Sequence, residues 1–452
     1  MEAFMAWLKS VNDVVWGPGM LVLLVGTGLY LTVGLKFFTF RNFFRGLKNL
    51  WAGRSNQSEQ GEISPFNALM TALAADIGTG NIVGVSTAIY IGGPGALFWM
   101  WVTALVGMAT KFSEVLLSVH FREKTPAGNW VGGAMYFIKN GLGPKWVWLG
   151  TCFAVFGICA CIGTGGMVQA KAITDNISGT FGLPAWLCGL VLVALCVAVL
   201  LGGVRRIGAV AGKIVPFMAI MYVFMCLLII GMNIEKVPSV FWWVISDAFQ
   251  PTAATGGFVG ATVMMAIRLG VARGLFSNES GLGSAPIAAA AARTSQPVVQ
   301  ALISMTQTFI DTLVVCSMTG LVILVTGVWT SGKNGAPLTS YAFETGLPGE
   351  LGGLIVTIGI ILFAYSTILG WSYYGEKAIE YLLGSKAIVP YRWAFIISVG
   401  LGSSMKLDLV WVLSDIFNAL MAFPNLIALI GLAKVVSKAL DEFEQANLAE
   451  NK

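Results

Sequence analysis

Apolar runs of about 20 residues, the length that a helix needs to cross the hydrocarbon core of a bilayer, recur along the whole chain from Val14 onward. Charged residues make up only 11% of the sequence, against about 25% in soluble domains. Because only helices and closed barrels satisfy the backbone in lipid, runs of this length predict an all-α polytopic membrane protein. We count eleven, at residues 14–35, 64–91, 95–120, 146–172, 185–201, 210–232, 256–292, 298–327, 350–375, 388–405 and 408–436.

Positive charge is unevenly divided between the two sets of loops. Nineteen lysines and arginines fall on one side of the predicted spans and only five on the other. By the positive-inside rule we expect the N-terminus outside and the C-terminus in the cytoplasm. This agrees with the odd number of spans, which requires the two termini to lie on opposite sides. The net charge of +5 is therefore a property of loops, and it does not indicate a nucleic-acid partner. The sequence also gives no sign of an obligatory protein partner.

The cysteines and the reactive side chains carry little sign of chemistry. All seven cysteines lie inside the predicted spans and none forms a C-x-x-C pair, which argues against a disulfide framework or a zinc site. We find no nucleophile and base at a recognisable spacing and no phosphate-binding loop. The sequence therefore does not favour an enzyme, and no cofactor is expected.

Two of the predicted spans are interrupted by glycine and polar residues near their middle. The second contains ADIGTGN, residues 75–81, and the seventh contains GLFSNESGLG, residues 274–283. Helix continuity is predicted to fail in both segments. Interrupted spans at corresponding positions of two halves are the best sequence pointer to the midplane site of a secondary transporter. Two alternatives stay open: glycines that only allow close packing, and polar residues that only link helices.

Counting spans from these breaks divides the chain into two similar halves. Five spans run from each break, and an odd number of spans inverts the second half relative to the first. We predict an extra N-terminal helix with a basic cytoplasmic loop (1–63), a first five-helix repeat (64–232), an extracellular linker with an interfacial helix (233–255), a second repeat (256–436) and a cytoplasmic tail (437–452).

A family resemblance is carried by two long runs, NALMTALAADIGTGNIVGVSTAIYIGGPGALFWMWVTALVGMATKFSE and GLFSNESGLGSAPIAAAAA. With the rest of the chain, they resemble the alanine or glycine:cation symporter family of prokaryotes, whose members look like LeuT-fold transporters with one added helix. The resemblance implies sodium-driven uptake of alanine or glycine across the plasma membrane. It implies no cofactor other than sodium as the coupling ion.

The first break is expected to bind the carboxylate of an amino acid. A half-helix that begins near Thr79 points N–H groups and its positive dipole end into the gap. We predict Thr79, Gly80 and Asn81 as the carboxylate-binding residues, with Gly80 needed so that the backbone can approach the substrate.

Sodium is expected between the first break and the ninth span. On the resemblance to the G-x-G-N segment of LeuT-type transporters, Ala74 and Ile77 would give carbonyl oxygens to the ion. Hydroxyl oxygens would come from Ser366 and Thr367, which lie at matching depth; sodium suits such hard oxygen ligands. Either hydroxyl could instead bond to the carbonyl four residues earlier.

Two buried acids have open roles. Asp76 could balance the charge of sodium or of the substrate ammonium, cap nearby N–H groups, or pair with Arg268 or Arg273. Glu279 could pair with Arg273 in a structural or gating role. Lys111 and Glu114 are predicted to form an intrahelical pair without a role in transport.

The remaining predicted substrate contacts surround the breaks. Gln169 can donate to and accept from a zwitterion, or only bridge helices. Phe276 and Trp371 are predicted to close the pocket behind a small side chain, or to be ordinary core aromatics. Ser277 and Asn278 complete the predicted substrate-binding set. Rival functions are proton coupling through Asp76 or Glu279 and, less favoured because no continuous polar lining is apparent, an ion channel.

Overall fold

The computed structural model of this chain describes residues 2–52, 60–126, 128–249, 263–349, 351–405 and 408–450. These residues are predominantly helical. One antiparallel hairpin joins β1 (Glu123–Lys124) to β2 (Trp130–Val131). Short helices at Phe38–Arg41 and Ala134–Phe137, a π turn at Ile138–Leu142, and 3-10 turns at Ile234–Lys236, Val328–Thr330 and Ser385–Ala387 lie in the connections.

The principal helices are numbered in chain order. They are α1 (Glu2–Val15), α2 (Pro18–Gly34), α3 (Phe43–Ala52), α4 (Pro65–Asp76), α5 (Gly80–Gly92), α6 (Gly95–His120), α7 (Pro144–Phe181), α8 (Ala185–Leu200), α9 (Gly203–Met232), α10 (Val237–Asp247), α11 (Val263–Asn278), α12 (Pro286–Ala290), α13 (Pro297–Val325), α14 (Ala336–Gly346), α15 (Leu351–Leu383), α16 (Ile388–Gly402), α17 (Asp408–Gly431) and α18 (Ala433–Glu450).

Seven helical segments within the described ranges are long and apolar enough to span a membrane: α1 with α2, α6, α7, α9, α13, α15 and α17. An eighth arises if α4 and α5, bent by 49° at their break, count as one span. The shorter apolar helices α8 and α16 have 16 and 15 residues. The protein is thus an all-helical, multi-pass membrane protein, whereas the count of eleven spans and the inverted repeat remain predictions.

The first break lies where the sequence predicts it. α4 begins after Ser64, whose hydroxyl accepts the N–H of Asn67 at 3.1 Å, and Pro65 occupies its first turn; both features favour helix initiation. α4 ends at Asp76, and α5 begins at Gly80 with a turn of π-helix over Gly80–Gly84.

The second break begins later than predicted. α11 continues to Asn278, so the prediction of an interruption from Gly274 was wrong for its first part. Gly274 packs instead against α6, where an added methyl would lie 3.4 Å from Cα of Met100. The helix stops at Glu279, which has a φ of 54° and is followed by Gly281 and Gly283 with φ of 96° and 80°. Such left-handed backbone cannot continue a right-handed helix.

Helix packing places both breaks inside the bundle. α6 is flanked by α11 and α13, while α4 packs between α9 and α15. α7 contacts α15 and α17. The π-helical turn at Phe309–Cys316 in α13 contacts the start of α5 and α11, whereas the one at Cys161–Val168 in α7 packs against α15, α16 and α17. Such turns are frequent at functional sites.

One end of the bundle is closed by an interlock, a name we use for residues 60–63 and 290–294 together with Arg122. Ile63 and Ala292 form an isolated parallel β-bridge. The N–H of Glu62 donates to the carbonyl of Ala291 at 2.8 Å, and the N–H of Arg293 donates to the carbonyl of Ile63 at 2.8 Å. The chain entering α4 is thereby paired with the chain leaving the second break.

Arg122, after α6, reinforces this interlock. Its guanidinium donates to the carbonyls of Ala290, Ala292 and Thr294 at 3.0, 2.8 and 2.6 Å. It also lies over the ring of Trp130, 4.3 Å from the centroid. The planar guanidinium has five donors and can bond to several converging carbonyls at once. The compact ammonium group of a lysine could not reach all of them.

The predicted interfacial segment is helical as α10, and Trp242 on it is 72% exposed. Aromatic side chains of this kind suit the headgroup level of a bilayer.

Candidate functional site

At Gly80 the start of α5 packs against α11. A methyl group at Gly80 would lie 3.2 Å from Cδ1 of Phe276 and 3.4 Å from Cα of Ser277. These are contacts with α11 and not with open space. Gly80 is therefore required for helix approach in this arrangement, a reason different from the substrate approach that the sequence suggested.

The hydroxyls predicted for sodium lie beside the first break. Oγ of Ser366 and Oγ1 of Thr367 are each 3.4 Å from the carbonyl oxygen of Ile77. Both hydroxyls also donate to the carbonyl of Phe363, at 2.8 and 2.9 Å, so the alternative of a local helical bond does occur. A hydroxyl that donates its proton to Phe363 keeps its lone pairs for a cation.

The break also frees a backbone carbonyl of α4. The N–H of Gly78 would bond to the carbonyl of Ala74 in a continuous helix. It donates instead to Oδ1 of Asn81 at 2.8 Å, and Ala74 loses that helical partner. A methyl at Gly78 would lie only 2.4 Å from Oγ1 of Thr367, so glycine is needed for this approach to α15.

The Asn81 and Gln169 amides are both engaged in the structure. Nδ2 of Asn81 donates to Oδ1 of Asp311 at 2.6 Å. Oε1 of Gln169 accepts the N–H of Thr79 at 3.4 Å, and its Nε2 donates to the carbonyl of Thr164 at 3.2 Å. The bridging alternative for Gln169 is thus realised. The Thr79 hydroxyl is buried without a hydrogen-bond partner.

The two predicted aromatic residues occupy different surroundings. Phe276 lines a cavity of about 360 Å³ together with Trp16, Arg273 and Asp415. Trp371 is only 3% exposed and packs against α7, where a methyl on Gly165 would lie 2.2 Å from its Cβ. Phe276 therefore lies between this cavity and the first break, and Trp371 lies at a tightly packed helix contact.

Ser277 and Asn278 face α13. Oγ of Ser277 donates to Oδ1 of Asp311 at 3.1 Å. Nδ2 of Asn278 donates to Oγ1 of Thr312 at 3.1 Å, and its Oδ1 accepts the N–H of Ser280 at 3.0 Å.

Three polar residues of α13 were missed from the sequence: Gln307, Asp311 and Thr312. Asp311 is fully buried and also accepts the hydroxyl of Thr312 at 2.7 Å. It is the single charged residue of its predicted span. An acidic residue inside a membrane span is a candidate functional residue by default, so Asp311 could have been identified from the sequence.

The alternative in which the two acids pair with Arg268 or Arg273 does not occur in the structure. Arg268 pairs with Asp13, and Arg273 lies 3.9 Å from Asp415. Both arginines belong to the part of α11 that lines the cavity, whereas Asp76 is deeper and accepts a hydrogen bond from Nε2 of Gln307.

Glu279 likewise has a partner other than Arg273, since its Oε2 accepts the hydroxyl of Ser284 at 2.6 Å. The pair of Lys111 and Glu114 is confirmed at 4.0 Å, with both side chains fully buried. Within the described residues, no group of three or more His, Cys, Asp or Glu side chains could hold a metal ion.

Comparison with known proteins gives a consistent result. The chain matches the sequence profile of the sodium:alanine symporter family over residues 1–452. It is 52% identical to an uncharacterized transporter of Haemophilus influenzae, covering 97% of this chain and 96% of that protein. It is 48% identical to the sodium/alanine symporter AgcS of Methanococcus maripaludis, covering 99% of each.

A solved structure shares the fold. The outward-open, substrate-bound state of a sodium-coupled sialic acid symporter superposes with a TM-score of 0.54 at 13% identity, covering 89% of this chain and 82% of that one. At such low identity the similarity concerns the fold alone. With the profile match over the full length and the 48% identity to AgcS, the chain belongs to the sodium:alanine symporter family.

Proposed function

We propose that this protein is a secondary active transporter that couples the uptake of a small neutral amino acid, alanine or glycine, to sodium. The observation that carries the proposal is the position of the Ser366 and Thr367 hydroxyls, each 3.4 Å from the Ile77 carbonyl at the first break, in a chain of the sodium:alanine symporter family. The name of AgcS supports alanine. No covalent step is needed for this function.

The sodium site consists of the carbonyl oxygens of Ala74 and Ile77 and the hydroxyl oxygens of Ser366 and Thr367. Neutral oxygens of this kind suit a monovalent hard cation. The ion joins α4 to α15, because it takes ligands from both helices.

The amino acid binds at the gap between the breaks. Backbone N–H groups of Thr79, Gly80 and Asn81 at the start of α5 receive its carboxylate. This requires the N–H of Thr79 to release Oε1 of Gln169 and the N–H of Asn81 to release the carbonyl of Gly78; both bonds are long, at 3.4 and 3.3 Å. The released Gln169 amide then contacts the substrate.

The remaining substrate contacts come from both breaks. Asp76 balances the positive charge of the bound cation or ammonium group. Phe276, Ser277 and Asn278 line the gap from α11. Trp371 limits its size from α15.

The architecture that we propose has eleven spans: one added N-terminal span and two inverted repeats of five in a LeuT-like arrangement, with the divisions given above at residues 63, 232, 255 and 436. The N-terminus lies outside the plasma membrane and the C-terminus in the cytoplasm. In this orientation the cavity beside Phe276 faces outward and the interlock closes the cytoplasmic end. Sodium and the amino acid bind from outside, and rocking of one helix group against the other then opens the cytoplasmic end.

Sodium dependence of binding is the first test. Radiolabelled alanine is expected to bind purified protein in sodium buffer and to lose most of that binding in choline or potassium buffer at the same pH, because the ion completes the substrate site. The measurement is equilibrium binding in the three buffers. Equal binding in choline would contradict sodium coupling, and uptake driven by a pH gradient alone would favour a proton-coupled carrier.

Size selectivity gives a second prediction. Alanine and glycine are expected to compete for the site while leucine and phenylalanine compete poorly, because bulky side chains would meet Phe276 and Trp371. Phe276→Ala is expected to admit leucine, since Phe276 borders the 360 Å³ cavity. Trp371→Ala leaves a cavity at the Gly165 contact and is expected to relax the exclusion less. Competition profiles that are unchanged in both variants would place the pocket elsewhere.

A further inference from the structure

A small groove lies between the end of α2 and the start of α18, far from both helix breaks. Its volume is about 210 Å³. One side is formed by Tyr30, Leu31, Gly34 and Leu35, and the other side includes Lys434 and Ser437. Pockets that enclose whole drug-sized molecules measure roughly 300–1,000 Å³. This groove can therefore receive only one part of a larger ligand.

The groove is open at a glycine and has three polar groups on its walls. A methyl group added at Gly34 would meet no heavy atom within 4 Å, so a larger side chain there would occupy the groove. The polar groups are the ammonium of Lys434 and the hydroxyls of Ser437 and Tyr30. Within the described residues, none of the three is held by a hydrogen bond or an ion pair of the protein. All three are available to a ligand.

The charge around the groove is positive. The two chain segments that form it, residues 14–58 and 416–440, contain no Asp or Glu. Lys36 is exposed and directly follows Leu35 of the groove wall. The groove is therefore suited to an anionic group and not to a cation.

The two lysines at the start of α18 have different surroundings. Nζ of Lys438 lies 3.8 Å from Oε1 of Glu442, one turn further along the helix. Lys434 has no acidic partner in the part of the chain that the structure describes. Its charge is thus uncompensated beside the apolar wall of the groove.

The position of the groove indicates what kind of molecule brings the anion. It lies where two spans end, because α2 ends at Gly34 and α17 ends at Gly431. Leu29 and Val33, one turn apart on α2, are 53% and 55% exposed, as expected for side chains that face lipid. Basic pockets between membrane helices at the cytoplasmic surface are typical sites for anionic lipid headgroups.

We propose that this groove binds the headgroup of an anionic phospholipid of the cytoplasmic leaflet. The Lys434 ammonium pairs with the phosphate, and the hydroxyls of Ser437 and Tyr30 donate to its oxygens. The acyl chains lie along the exposed face of α2. The leaflet rests on the orientation proposed above, whereas the site itself rests on the groove and its charge.

A lipid bound here joins two distant parts of the chain. It contacts α2, which belongs to the added N-terminal span, and α18, which follows the last span. A ligand that binds the folded protein and not the unfolded chain stabilises the fold. We therefore expect the bound phospholipid to raise the melting temperature of the protein.

The test uses purified full-length protein freed of lipid in a neutral detergent. Native mass spectrometry measures the affinity for the first molecule of phosphatidylglycerol, which is anionic, and of phosphatidylcholine, which has no net charge. Wild-type protein is expected to prefer phosphatidylglycerol by about 5-fold, the contribution of one lysine near an anionic lipid. Lys434→Gln should bind both lipids with similar affinity. Gly34→Leu should weaken the binding of both, because its side chain fills the groove.

Two matched variants serve as controls. Lys438→Gln removes the paired lysine one turn away, and Gly26→Leu adds the same side chain at another open position of α2, where a methyl group also meets nothing within 4 Å. Both should keep the affinity and the preference of the wild type. Phosphatidylglycerol should raise the melting temperature of the wild type and of both controls, but not of Gly34→Leu.

Equal affinity of the wild type for the two lipids, or an unchanged preference in folded Lys434→Gln, would overturn the proposal. An equal loss in Lys438→Gln would also overturn it, since the preference would then follow surface charge in general. If inorganic phosphate at the same concentration displaced phosphatidylglycerol, the site would bind a free anion and not a lipid. Sodium and amino acids are absent from the assay, so its result does not depend on the transport function proposed above.

Discussion

Gly80→Val is expected to weaken sodium-dependent alanine binding by roughly 5- to 150-fold, the range that corresponds to about 1–3 kcal/mol of overpacking. The new Cβ would already lie 3.2 Å from the Phe276 ring, and two further methyl groups would push the start of α5 away from α11. The N–H groups that receive the carboxylate would move with it. The measurement is alanine affinity of the purified variant at saturating sodium.

Gly84→Val is the matched control for this substitution. Gly84 ends the same π turn, but an added Cβ there meets only Cδ of Arg273, at 3.9 Å. It should keep nearly normal affinity, while both variants should elute as folded protein in size-exclusion chromatography. A folded Gly80→Val protein with normal alanine affinity would remove the start of α5 from the substrate site.

Thr367→Val is expected to weaken sodium binding directly and alanine binding only through the loss of sodium. The substitution keeps almost the same volume and removes one oxygen ligand of the ion at Ile77. If that ligand is worth about 1–3 kcal/mol, the half-saturating sodium concentration rises about 5- to 150-fold. Because the sites are coupled, alanine affinity should fall at low sodium and largely recover at high sodium. The measurement is alanine affinity across a sodium titration.

A hydroxyl on the same helix provides the comparison. Thr357 is buried and its Oγ1 lies 2.8 Å from Oγ1 of Thr180, away from both breaks, so Thr357→Val should leave the titration unchanged. A Thr367→Val defect that saturating sodium cannot restore would place this hydroxyl on the amino acid. If the Thr367→Val titration is the same as that of the wild type, Thr367 belongs neither to the sodium site nor to the amino-acid site.

The position of the first break was predicted well, because the residues that cause it are neighbours in the sequence. Ser64 and Pro65 start α4, and the Gly78 and Gly80 pair ends the helical ladder within the same short stretch. The second break was placed too early, since glycine at Gly274 allows close packing with α6 and does not by itself end a buried helix. The helix ends only at Glu279, where the backbone is left-handed. Glutamate rarely adopts that conformation, so its presence in the sequence did not predict the end of the helix.

Partners from distant parts of the chain could not be predicted. The sequence indicates that Asp76 and Asn81 are unusual, but not that Gln307 and Asp311 meet them from α13, more than two hundred residues away. From the sequence, the arginines of α11 were one of the alternatives for these acids. In the folded chain these arginines line the cavity and pair with Asp13 and Asp415, which depends on tertiary packing.

The interlock is formed largely by the backbone, through the bridge between Ile63 and Ala292 and the carbonyls that Arg122 collects. Each such bond is worth about 0.5–1.5 kcal/mol net, so the set resists opening by several kcal/mol. In the transport cycle proposed above, this cost keeps the empty carrier closed at that end. Backbone groups are the same in every residue, so the backbone hydrogen bonds of the interlock persist whichever side chains occupy residues 60–63 and 290–294. The bonds that Arg122 donates depend on that one side chain.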